Sequence, residues 1–418
     1  MNPISNDHPD GAVRHRVRRL AIYTLMAGAL ALGHGAMAQT ATLSPSDYRA
    51  DANELVALIA ANYAYLDDLP GGTVPASPML TAERDAVHDR DSLLHYAEEM
   101  VTTLADHHAL TGSSFKDDWA IVPSYADLWI VRRNAAYVVD AVKRDSPAAR
   151  AGITAGDRLT AVDHVPIETA VTAFWDRLGL TPVGERAPFA ARVLAAGRRD
   201  RSRVLTFGTA SGTRDVTLAN LYAGAAPQPP LTVMPGAKGG VTMRFNNALG
   251  DSATITAFDA AMSRAAPRAA VTIDLTDTPS GGNTSVARAI MGWFVTRPMP
   301  YQVHQLPSEE RETRIARQWI EEVLPRAGKY HPGPVSVRVG RWTGSLGEAL
   351  AIGFAALGKP VCGTAMAGLK GAVNDFDLTH SRLRVKFPTE RLYSVGGIAR
   401  ERAKVAQCHD EASRRGAR

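Results

Sequence analysis

Two cysteines stand in a chain of 418 residues, and only 6% of its residues are aromatic. It has no H-E-x-x-H segment, no paired C-x-x-C and no glycine-rich phosphate loop. The sequence signals of a zinc peptidase, a structural zinc site and a nucleotide enzyme are therefore missing, and no cofactor or metal is expected. Beyond the N-terminus no uncharged run of roughly 18 residues is also predominantly apolar and free of proline, as a bilayer span requires, so the body is not expected to cross a membrane. The net charge of +5 is also unevenly placed. Residues 1–38 hold four arginines against two aspartates, and residues 400–418 hold six basic against three acidic residues. The body between them is neutral. A nucleic-acid partner would require a basic footprint on that body, so none is expected. No internal repeat is present. The only biased tract is the Arg-rich segment 401–418, which reads as a basic disordered tail.

What is present begins with an export signal. Arg14, Arg16, Arg18 and Arg19 form a basic segment, Leu20 to Leu32 an apolar core, and Ala36-Met37-Ala38 a small-x-small cleavage site before Gln39. Residues 1–38 read as a signal peptide, with an uncleaved anchor as the alternative. Removal places the mature chain outside the cytoplasm, in a bacterial periplasm or the extracellular space. An oxidising compartment permits a disulfide between Cys362 and Cys408; two free buried thiols are the other arrangement.

Residues 44–112 carry helical signals. Ser44-Pro45-Ser46-Asp47 is a start signal, and Leu55, Leu58, Ile59, Tyr63 and Leu66 recur at helical spacing. Pro70 to Pro78 interrupts the pattern, and a second helix presents Leu94, Ala97, Val101 and Leu104 before ending near Asp106-His107-His108. Residues 118–222 change to short β-type runs. Within them Ser146-Pro147-Ala148-Ala149-Arg150-Ala151-Gly152-Ile153, followed by Gly156-Asp157-Arg158-Leu159, resembles the centre of a PDZ domain, although Glu168 to Ala196 makes an unusually long insert. Ala223 to Pro235, with four prolines, reads as a linker. Residues 236–400 alternate strands and helices and predict an α/β core.

Three segments of that core could carry chemistry. Arg341-Trp342-Thr343-Gly344-Ser345-Leu346-Gly347-Glu348 joins an apolar strand to an apolar helix. A serine at a helix N-terminus lies beside free N–H groups that can hold an oxyanion, but Ser-x-x-Glu is equally a capping box. Asp274-Leu275-Thr276-Asp277-Thr278-Pro279-Ser280-Gly281-Gly282-Asn283 ends a buried strand with a glycine pair able to turn its N–H groups inward, or to make an ordinary strand–helix turn. Gly363-Thr364-Ala365-Met366-Ala367-Gly368-Leu369-Lys370-Gly371 offers a lysine. Burial would make it a base and exposure would leave it solvated.

Taken in order, these segments resemble the C-terminal-processing (tail-specific) serine peptidases. That family carries a D-L-R-x-N-P-G-G-type turn, a nucleophile in S-x-x-E and a lysine in a T-x-G-K-G-type loop, and the resemblance covers most of residues 44–400. It implies a ClpP/crotonase-like α/β peptidase core with an inserted PDZ-like domain and an N-terminal helical domain. It further implies a serine endopeptidase of protein or peptide substrates. By position, Ser345 matches the nucleophile, Lys370 the base and Asn374 the assisting glutamine. Gly281 and Gly282 match the glycine pair, and their N–H groups, with that of Leu346, would form the oxyanion site. Thr276 stands where the family has arginine, and Leu369 separates Gly368 from Lys370. Leu104-Ala105-Asp106-His107-His108 resembles the L-x-D-x-H segment of some relatives, which offers His108 as an alternative base or as a structural helix end. Two other functions compete with peptide hydrolysis: a non-catalytic peptide or ligand binder of the same fold, and a small-molecule acyl hydrolase.

Overall fold

The structure, a computed structural model, describes residues 43–209, 212–222, 228–279 and 281–408. The expected signal peptide 1–38 and residues 409–418 of the expected tail lie outside the described residues.

Ser44 starts the first helix, Pro45–Asn62. Its hydroxyl accepts the Asp47 N–H while the Asp47 carboxylate accepts the Ser44 N–H, which satisfies donors that have no partner inside the helix. Helices Pro78–Ala86 and Arg90–Thr102 complete this N-terminal layer. Asp51, fully buried on the first helix, accepts the His380 and Ser381 N–H groups at 2.9 and 2.7 Å. A carboxylate out of water needs such donors, so Asp51 fixes the layer to the C-terminal half of the chain. The strand Leu110–Thr111 then pairs antiparallel with Arg384–Tyr393.

The PDZ-like region is a sheet ordered Leu128–Arg133, Ala136–Val142, Arg158–Val162, Arg203–Thr209, Gly212–Leu218, with Val165–Pro166 against the third strand. The long insert is helical: Ile167–Asp176 is followed by Arg186–Ala196, whose Phe189, Val193 and Leu194 are buried. This second helix packs along the edge strand Leu128–Arg133.

The core sheet runs Val361–Gly363, Val335–Val339, Val271–Asp274, Val241–Phe245, Leu231–Pro235. Neighbours among the first four are parallel, and the last strand is antiparallel. Strands rich in valine with helical crossovers are what a sheet covered on its faces requires. Leu231–Pro235 corrects the reading of 223–235 as linker throughout. An edge strand tolerates proline because its outward N–H needs no partner. A second sheet contains Met299–Gln305, Gln318–Val323, Ala372–Asp377 and Arg384–Tyr393.

The tail also begins later than composition implies. Arg400–Arg402 forms a short turn, Ala406 bridges Cys362, and Cys408 is disulfide-bonded to Cys362. Residues 401–408 therefore belong to the folded unit. Replacing both cysteines by serine should lower the unfolding free energy by about 3–4 kcal/mol, because the bond joins residues 46 apart. Reductant should shift the wild-type denaturation midpoint by the same amount; an unchanged midpoint in both cases would contradict the pairing.

Candidate active site

The turn between strand Val335–Val339 and helix Leu346–Ala356 is pulled tight by Thr343, whose hydroxyl donates to the Leu275 carbonyl at 2.7 Å. Gly344 approaches the Pro279 carbonyl so closely that an added Cβ would lie 2.4 Å from it, so only glycine fits. Ser345 follows at φ 52° and ψ −116°, a conformation that side-chain-bearing residues rarely adopt and that the surrounding contacts must enforce.

Both readings of Ser-x-x-Glu are met here. The capping box is formed, with the Glu348 carboxylate accepting the Ser345 N–H at 2.9 Å. The half-buried hydroxyl is also within reach of His108, with Oγ 3.0 Å from Nε2.

His108 is carried by the end of the helical layer. The Asp106 carboxylate, fixed by the Tyr63 hydroxyl at 3.0 Å, accepts the His108 N–H at 2.9 Å. The other ring nitrogen, Nδ1, lies 2.6 Å from the Lys370 carbonyl oxygen. A carbonyl only accepts, so the network assigns the proton to Nδ1 and leaves the Nε2 lone pair to receive the Ser345 hydroxyl. Burial, reinforced by the Arg400 cation, pushes the His108 pKa down to about 4, so the ring is neutral near neutral pH.

The loop supplying that carbonyl is held on both sides. Glu348, fully buried, accepts the Gly368 and Leu369 N–H groups at 2.8 and 3.1 Å. Arg400, also buried, donates to the Leu369 and Gly371 carbonyls at 3.0 and 2.7 Å. Burial pushes the Glu348 carboxyl up to about 7, against the pull of Arg400 and the three N–H donors. Neither role was readable in advance: Glu348 looked like a cap, and Arg400 borders an Arg-rich tail without any local motif.

Two expected roles are corrected. Lys370 makes no hydrogen bond to Ser345 among the described residues; its ammonium lies 5.2 Å from the centre of the Tyr65 ring. The intervening Leu369 accounts for this. It is buried against the Gly344 turn, where an added Gly344 Cβ would meet it at 3.0 Å, and the next side chain points away. Asn374 is exposed on the strand Ala372–Asp377, opposite Phe387, and makes no hydrogen bond to Ser345 among the described residues.

Of the expected oxyanion positions, Gly282 and Leu346 adjoin Ser345. A Cβ added to Gly282 would lie 3.9 Å from Ser345 Oγ, and Gly281 has φ 83° with Gly250 packed against it. Leu346 is the first residue of its helix, so its N–H has no acceptor inside that helix. Among the described residues no group of three His, Cys, Asp or Glu side chains is arranged to hold a metal ion, and no helix is long and apolar enough to cross a membrane.

A family model of the PDZ domain matches residues 138–173. No curated protein matches the sequence. Among solved structures, the photosystem II D1 C-terminal processing protease aligns with a TM-score of 0.52 and 15% identity, over 87% of this chain and 94% of that one. Mature CPAF in complex with lactacystin aligns with a TM-score of 0.51 and 13% identity, over 87% and 93%. The chain thus has the fold of the C-terminal processing proteases, with an α/β core and a PDZ domain.

Proposed function

We propose that the chain is an exported serine endopeptidase in which Ser345 is the nucleophile and His108, rather than Lys370, its general base. The observation that carries this reading is the 3.0 Å contact from His108 Nε2 to Ser345 Oγ, with Nδ1 held by a carbonyl. Ser345 Oγ attacks the scissile carbonyl carbon as its proton passes to Nε2, and the resulting imidazolium returns that proton to the departing amine. Water then repeats the sequence on the acyl-enzyme, releasing the acid and restoring the serine. The N–H groups of Leu346, Gly281 and Gly282 are the donors for the tetrahedral oxyanion. Protein or peptide substrates follow from the likeness in fold to processing proteases. Export follows from the basic and apolar segment 1–38, and the Cys362–Cys408 disulfide supports it.

The two candidate bases predict different pH profiles. A lysine acts as a base only as the free amine, so activity that depends on one would rise with pH towards the alkaline side. His108 is already neutral there. Its pKa of about 4 means that activity fails only when acid protonates Nε2 and removes the acceptor. The acid limb of kcat/KM on a fluorogenic peptide should therefore lie well below neutrality. A limb centred above pH 7 would remove His108 from the role.

A further inference from the structure

Beyond the second sheet the chain folds back over the core as a strap, residues 399–408. It begins at Ala399, bridged to Tyr393, passes through the turn Arg400–Arg402 and ends at the Cys362–Cys408 disulfide. The strap grips the loop that bears Lys370 at both ends. At one end Cys362 carries the disulfide, and the Gly363 N–H donates to the Ala406 carbonyl at 2.9 Å. At the other end Arg400 donates to the Leu369 and Gly371 carbonyls. Between those two carbonyls in the chain lies that of Lys370, which orients His108.

Little else fastens the strap. Ala403 and Val405 are half-buried against the core, while Arg402, Lys404, Ala406 and Gln407 are exposed. Among the described residues no side chain of 401–407 makes a hydrogen bond or ion pair, and the buried Glu401 Oε2 has no partner. Beneath the strap lies a cavity of about 160 Å³ lined by Ala351, Ile352, Met366, Ala403 and Val405. Protein interiors hold few voids larger than a water molecule, so this segment forgoes contacts that a well-packed one would make. Beyond Arg400 the disulfide is therefore its principal attachment. That bond is also reachable: both cysteines are half-buried, and Cys408 borders a cavity of about 410 Å³ beside the exposed Thr364.

We propose that the Cys362–Cys408 disulfide is a redox switch of catalysis: oxidation clamps the strap and sets Arg400 against the Lys370 loop, and reduction releases both. The inference rests on the peptidase reading with His108 as base. Without the disulfide, opening the strap exposes only two half-buried apolar side chains and breaks the hydrogen bonds of Ala406 and Arg400. The Lys370 carbonyl then loses its support on the Arg400 side, and Nε2 is no longer aimed at Ser345 Oγ. Reduction proceeds by exchange. A dithiol's thiolate attacks one sulfur, the protein S–S bond breaks as a mixed disulfide forms, and the second thiol expels the protein thiolate. The dithiol becomes a disulfide, giving two electrons and two protons to Cys362 and Cys408, which are left as thiols. Oxidised glutathione reverses the step and departs as two thiols. For an exported chain, the peptidase is thus held inactive in a reducing compartment and switched on where disulfides form.

The test uses the full chain in three forms, oxidised, reduced with dithiothreitol and reoxidised with oxidised glutathione, with free thiols counted in each. Reduction should lower kcat on an uncharged fluorogenic peptide on the order of tenfold with KM little changed, and reoxidation should restore it. The acid limb of the rate profile should also move. Burial first, and then the Arg400 cation, hold the His108 pKa down, whereas Lys370, Lys386 and Asp106, also near the ring, lie outside the strap. Release of Arg400 therefore shifts the limb upward, which a general loss of stability would not do. Cys362→Ser combined with Cys408→Ser should fix the enzyme in the low-kcat form, and Arg400→Met should show no further loss on reduction. Hydrogen exchange gives a readout that needs no activity. The amides of Gly363, Arg402 and Ala403 should lose protection on reduction, whereas the core strand Val335–Val339 keeps its own. An unchanged kcat and acid limb, an Arg400→Met protein that responds as the wild type does, or strap and core strand losing protection together would overturn the proposal. Local release with no hydrolysis in any form would leave the clamp standing and count against the peptidase reading alone.

Discussion

Alanine at His108 should lower kcat for peptide hydrolysis by about 10³-fold or more, and alanine at Ser345 should remove the activity outright. The two groups act as one unit: without Nε2 the Ser345 hydroxyl keeps its proton, and without the hydroxyl there is no nucleophile. The double variant should therefore be no less active than Ser345→Ala. Neither loss should come from unfolding. Loss of the Ser345 hydroxyl from its capping box costs only about 1 kcal/mol, and the Glu348 contact to the Ser345 N–H stays in place. Loss of the His108 ring leaves the Lys370 carbonyl without this donor, at a cost of about 1–2 kcal/mol. Circular dichroism and the denaturation midpoint check the fold. A His108→Ala protein that cleaves at the wild-type rate would return the base role to another residue.

The second large effect should come from Arg400, remote in sequence from both His108 and Ser345. Methionine there removes the donor to two buried carbonyls and the cation beside Glu348. A stability loss of about 2–4 kcal/mol is expected. The loop of residues 368–371 would then be held by Glu348 alone, and the Lys370 carbonyl would no longer fix the His108 ring. We expect kcat to fall on the order of 10²-fold, with KM for an uncharged peptide little changed. Arg400 also lowers the His108 pKa, so its removal should move the acid limb of the rate profile upward. A protein that loses stability but keeps both kcat and the position of that limb would restrict Arg400 to a structural role.

These two sites show what the sequence made readable and what it did not. Ser345 was visible because its turn is local: a valine-rich strand, a glycine that admits no side chain and an apolar helix are adjacent in the chain. The parallel core was visible for the same reason, since each strand and crossover helix carries its own periodicity. His108 and Ser345 are 237 residues apart, and their hydrogen bond exists only after the helical layer docks through Asp51 and the Leu110–Thr111 strand. Sequence offered His108 as an alternative base or as a structural helix end, and the preference proposed here for His108 over Lys370 rests on the fold. Spacing favoured Lys370, and one buried residue, Leu369, altered what that spacing meant. The second sheet was missed because its strands pair across long separations; Arg384–Tyr393 alternates charged and apolar residues around Pro388, a pattern without an unambiguous local reading.

Covalent labelling tests the central claim most directly. A small fluorophosphonate reacts with a serine only when a base activates it. The labelled residue can be read by mass spectrometry in the wild type, His108→Ala and Lys370→Met. The account predicts a label on Ser345 in the wild type, loss of that label in His108→Ala and its retention in Lys370→Met, whose backbone carbonyl still orients the imidazole. A label that survives in His108→Ala and vanishes in Lys370→Met would contradict it.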